Sequence, residues 1–68
     1  MAVIIDSFRL PKNVQALTID TDKPKHHYNA YKIGNEVFSI VPVYDSSRII
    51  AIRDSRDFVG KTVEFVEV

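Results

Sequence analysis

Apolar residues in this chain recur at alternate positions over short runs separated by polar breaks, a period that fits strands and not helices. Residues 2–10, AVIIDSFRL, start as a β-branched run and stop at Pro11, whose fixed φ and missing N–H halt a central strand. Residues 14–20, VQALTID, fit a short helix or a strand, and Thr18, Ile19 and the alternating pair Leu17/Ile19 favour a strand. The stretch DTDKPKHH, residues 20–27, has no apolar side chain except Pro24 and predicts a solvated loop. Strands over 28–33 and 36–44 flank Gly34-Asn35, where glycine takes the positive φ that a type II′ hairpin turn needs first. In the second of these, Val37, Val41 and Val43 face one way and Phe38, Ile40 and Tyr44 the other. Both faces are apolar, which predicts burial on two sides or burial on one side and a partner on the other.

A second hairpin is expected at Asp45-Ser46-Ser47, leading into a strand over 48–53 with a buried middle and solvated arginines at its ends. Asp54, Ser55, Arg56 and Asp57 then offer capping side chains before Phe58-Val59-Gly60, predicting one turn of 3₁₀ or α-helix that ends at Gly60. Residues 61–67 close the chain as a strand with Val63 and Phe65 inward and Thr62 and Glu64 outward.

This order of elements resembles that of small SH3-like barrels over roughly residues 14–67. The segment Ala16-Leu17-Thr18-Ile19-Asp20 sits where such barrels carry their first strand, and Phe58-Val59 sits in the turn before the last. The resemblance implies a five- to six-stranded antiparallel barrel, all-β, with a short helical turn before the closing strand. A five-stranded OB-type barrel or an open curled sheet fits the same order. The proline-peptide activity of SH3 domains depends on clustered aromatics including tryptophan, and this chain has no tryptophan.

Length bounds these expectations. Sixty-eight residues make a single domain, 1–68, and a chain of this size buries only about 60% of its unfolded surface. Without cysteine it has no disulfide or thiolate staple, so either the core suffices or a second subunit completes it. Lack of cysteine also fits a cytoplasmic location, and the opening MAVII has neither the length nor the basic flank of a signal peptide. No run approaches the roughly 20 apolar residues of a membrane helix. Nine basic and nine acidic residues cancel, so a nucleic-acid partner would need a local patch.

Two surfaces stand out as candidate sites. The strand bearing Val37, Val41, Val43 and Tyr44 presents a protein interface, so the leading expectation is a noncatalytic module that binds protein, a second copy included, through a strand edge and apolar face. The alternative is single-stranded nucleic acid, held by Lys23, Lys25, His27, Tyr28, Tyr31 and Lys32, because cations interleaved with rings suit phosphate contact and base stacking. In both expectations no cofactor and no small-molecule substrate takes part. Asp20, Asp22, His26 and His27 are metal-ligand types, but their spacing matches no zinc or calcium pattern and no metal site is assigned. No serine lies in a nucleophile-elbow context, and the Gly60-Lys61-Thr62 triplet lacks the upstream glycine and following helix of a phosphate loop.

Overall fold

Two local turns and one bulge shape the sheet. In the computed structural model, which describes residues 1–43 and 47–68, the strands are β1 (Ala2–Leu10), β2 (Val14–Ile19), β3 (Ala30–Ile33), β4 (Glu36–Ser39), β5 (Ile49–Ile52) and β6 (Thr62–Val66). All six pair antiparallel in one sheet, in the order β4-β3-β6-β1-β2-β5. Ile33 pairs with Glu36 across Gly34-Asn35, and Gly34 has the expected positive φ of 63°. Pro11 ends β1 as its chemistry requires, yet the chain doubles back at once. Leu10 pairs with Val14 across a three-residue turn in which Lys12 and Asn13 take left-handed φ values of 65° and 62°. Sequence reasoning saw the break there but not this hairpin, because a lysine gives no sign that it will adopt a conformation uncommon for it.

The bulge lies at Ile5. Ile4 opposes Ile19 while Asp6 opposes Thr18, so Ile5 is the extra residue. A bulge bends its strand, and here it lets one strand serve two neighbours: Ala2 and Val3 pair with β6, while the later residues pair with β2 alone. The bend also lets the sheet curl. β4 and β5 stand at opposite ends of the strand order, yet Val41 N–H, just past β4, donates to Ala51 C=O on β5 at 3.2 Å. The two edges therefore approach each other without forming a ladder.

This arrangement corrects four expectations. The strand expected over 36–44 ends at Ser39, and β4 and β5 do not form the second hairpin pair; Tyr44 and the turn residues Asp45 and Ser46 lie outside the described residues. Alternation within the strand holds, with Phe38 and Ile40 packed against the core, but burial on both faces does not: β4 is an edge strand and Val37 is 53% exposed. The helical turn is also absent. Asp54 Oδ1 accepts from Arg56 N–H at 2.8 Å, Asp57 Oδ1 accepts from Val59 N–H at 3.0 Å, and Lys61 N–H closes a turn onto Phe58 C=O with Gly60 at a φ of 93°. These Asp side chains offer the backbone an alternative to a helix, so the residues that suggested caps make successive turns.

Inside the curl Ile4, Leu17, Ile19, Ile33, Ile50, Ile52 and Val63 are fully buried. Phe58, carried on the turn segment after β5, is buried with them and meets Phe38 edge-on at 5.5 Å between ring centres. That segment is fastened from within. Gln15, the one buried polar side chain among the described residues, donates both Nε2 hydrogens, to Asp54 C=O and to Arg56 C=O, each at 2.7 Å. Gln15→Met keeps the volume and removes both donors, leaving two carbonyls unpaired. The expected cost is about 1–3 kcal/mol, read as a lower urea midpoint with unchanged slope; an unchanged midpoint means that water reaches those carbonyls.

Candidate functional site

In an antiparallel ladder, the N–H and C=O of one residue point to the same side and those of the next point to the other. The backbone bonds at β1 set this phase for the sheet. Ile4 N–H bonds Lys61 C=O, so Ala2 and Ile4 face β6; Val3 C=O accepts Asp20 N–H, so Val3 faces β2. Carried across the registers, the phase turns Val63 and Phe65 of β6 towards β1, Tyr31 and Ile33 towards β4, and Glu36 and Phe38 back towards β3. Val37 and Ser39 then point outward, and Val41, next in the same phase, shows that direction by donating to Ala51.

Side chains cover outward backbone groups on the other strands. Lys23 Nζ donates to Ile49 C=O at 3.0 Å on β5, and His26 Nε2 lies 3.3 Å from Phe65 C=O where β6 runs past the start of β1. Ser7 N–H, outward on β1 beyond the bulge, donates to Asp6 Oδ1 at 2.8 Å. Val37 and Ser39 have no such cap, nor does Arg9 further along β1: among the described residues nothing bonds their outward N–H and C=O groups. Beside them opens a cleft of about 330 Å³ bounded by Val37, Phe38, Ser39, Ile40 and Val41 on one bank and Arg53 on the other. Of the four residues expected at a protein interface, Val37 and Val41 line this cleft, Val43 follows as a half-buried residue, and Tyr44 lies outside the described residues.

Sequence reasoning missed the far bank. Arg53 directly follows β5, and among the described residues its side chain makes one hydrogen bond, from Nη1 to Lys12 C=O at 3.3 Å. Arg56, by contrast, is fully engaged: it bonds Asp54 Oδ2 at 2.8 Å, forks onto the Glu36 carboxylate of β4, and stands 5.4 Å from the centre of the Phe58 ring. That guanidinium holds both carboxyls below their ordinary range, while the two carboxylates push Arg56 further up. The network ties the turn segment to the start of β4, leaving the later part of β4 open.

The nucleic-acid candidates are dispersed. Tyr31 is a core residue, only 3% exposed, with its ring edge-on to Phe65 at 5.5 Å, and Tyr28 is half-buried against the same Phe65 at 5.0 Å. Lys32 is on the opposite face of β3 from Tyr31, between Val37 of β4 and Glu64 of β6. Lys23 is tied to β5, His27 pairs with Glu67 at 2.7 Å, and Lys25 is exposed. The structure therefore does not gather these six into one stacking platform. The loop that carries them is fastened instead: Asp22 accepts from Arg48 Nε at 2.9 Å and from Ser47 Oγ at 3.0 Å, and these bonds hold its carboxyl below the usual range. Among the described residues no three His, Asp or Glu side chains converge as metal ligands, and no helix is long and apolar enough to cross a membrane.

No family model, curated protein or solved structure matches this chain. Its candidate site therefore rests on geometry alone.

Burial, with a smaller contribution from Tyr28, pushes the Tyr31 hydroxyl up to about 12 from its ordinary value of 10.0. The fold thus favours the neutral phenol. Its contribution is fully present below pH 10, the unfolded value, and is lost as pH rises towards 12. Wild-type stability is expected to fall over that interval more steeply than that of Tyr31→Phe, measured by urea unfolding at a series of alkaline pH values; parallel profiles would place the hydroxyl in water.

Proposed function

We propose that this protein is a noncatalytic interaction module that takes up an extended segment of a partner protein along the outer edge of β4. The observation that carries this reading is the pair of outward, unbonded backbone residues Val37 and Ser39 beside an open cleft, on an edge that no side chain caps among the described residues. Strand addition to such an edge draws affinity from main-chain hydrogen bonds and selectivity from pockets for alternate side chains. Val37, 53% exposed, offers an apolar contact on the outer face of the added strand. The monomer already seals its own core, so a second copy is not needed to bury Leu17, Ile19 or Ile50. Self-pairing of β4 nevertheless uses the same donors and acceptors as a foreign strand. A cytoplasmic location accords with the absence of cysteine.

Proline separates edge binding from folding here. Ser39→Pro removes an outward N–H and leaves the bonds between β3 and β4 in place, which is the setting in which strands tolerate proline. The variant is expected to keep the wild-type circular dichroism and urea midpoint. It should also lose binding to ten-residue peptides selected on the wild type from a random display library. Equal binding by both proteins would remove the strand-addition reading. A wild type that sediments as a dimer, made monomeric by Ser39→Pro, would identify a second copy as the occupant.

A further inference from the structure

The chain is neutral as a whole, but its charge is unevenly matched around the β4 cleft. Arg53 forms one wall. Its Nη1 reaches Lys12 C=O at 3.3 Å, bringing the β1–β2 turn and its lysine to the same end of the sheet, and Arg9 Nη2 reaches Ser55 C=O at 2.7 Å on the continuation of that bank. Both guanidinium groups bond backbone carbonyls, which leaves their charge uncancelled. Of the described acids on this bank, Glu36 and Asp54 pair with Arg56, while Asp57 accepts from Val59 N–H and keeps its charge. Among the described residues no carboxylate pairs with Arg9, Lys12 or Arg53.

We infer that the strand accepted along β4 is an acidic one, with a carboxylate side chain seated on Arg53 and the field of Arg9 and Lys12 favouring its approach. The inference rests on the strand-addition reading and adds the partner's chemistry to it. Charge complementarity selects the acid: a guanidinium whose bond partner is a neutral carbonyl at 3.3 Å keeps donors free for a forked bond to a carboxylate. A peptide fits better than a nucleic acid, because Val37 and Ser39 ask for backbone amide partners. The lining ring, Phe38, is half-buried and packed on Phe58, so it is not free to stack on a base.

The same random ten-residue library, selected on wild type and on the Lys12→Gln/Arg53→Gln double variant, tests this. Glu and Asp should be enriched among wild-type binders and return to the library average on the variant. One selected peptide, remade with a fluorescein label, should bind roughly tenfold more weakly by anisotropy when its acid becomes the amide or when Arg53→Gln is present. Applied together, the two changes should cost little more than either alone. Binders that depend on the β4 edge, by the Ser39→Pro criterion, but show no acidic bias would overturn the inference and leave strand addition standing. No binder sensitive to Ser39→Pro would overturn both. A labelled oligothymidylate that binds through Arg9, Lys12 and Arg53 while no acidic peptide does would assign the cations to phosphate and overturn it as well.

Discussion

A sheet with one strongly apolar face and no helix to lay over it must cover that face with itself, and every other feature of this chain follows from that constraint. Curling brings the first and last strands of the order towards each other, and the bulge at Ile5 supplies the bend. What the curl leaves open at one mouth is filled by the turn segment after β5, with Phe58 as its wedge and Gln15 as the clamp beneath it. A buried amide is a costly group unless satisfied. Here two carbonyls of a segment without regular structure satisfy it, and the segment gains a fixed position in return.

The same constraint explains which parts of the fold could be read from residue order. Strand identity is local: β-branched alternation in VQALTI and IIAI, and the Gly34-Asn35 turn, are enough to predict β2, β5 and the β3–β4 hairpin. Pairing order is not local. Nothing in TVEFV says that it will slot between β3 and β1, or that β4 and β5, neighbours in the chain, will stand at opposite edges. The doubly apolar pattern of 36–44 suited a central strand as well as an edge with one face towards a partner, and burial decides against the first: the inner face is core and Val37 is exposed. Tyr31 looked equally suited to a binding surface and to a core, and only the packing against Phe65 separates the two. At the candidate site Val37 and Val41 were visible as apolar positions, whereas Arg53 was not, because its part depends on the approach of two distant strands.

Edges are the standing hazard of an uncovered sheet, since unpaired backbone groups template pairing with other chains. This chain meets the hazard piecemeal, with a lysine on β5, a histidine on β6 and an aspartate on β1, each reaching a single outward group. Such caps are specific to place. They are absent from Val37 and Ser39 on the later part of β4, where the open edge lies beside a cleft, and the Arg56 network holds the earlier part in position beside it.

The position of β6 has a consequence for how the molecule comes into being. β3 and β4 form one piece, β1, β2 and β5 form another, and β6 is the strand that hydrogen-bonds to both. During synthesis each piece is complete in sequence before residues 62–66 appear, yet without them no ladder joins the two. The sheet therefore cannot be assembled progressively as the chain emerges. It waits for residues 62–66, and until they are in place β3 and β1, the two neighbours of β6, present open edges of the kind that pair with other chains.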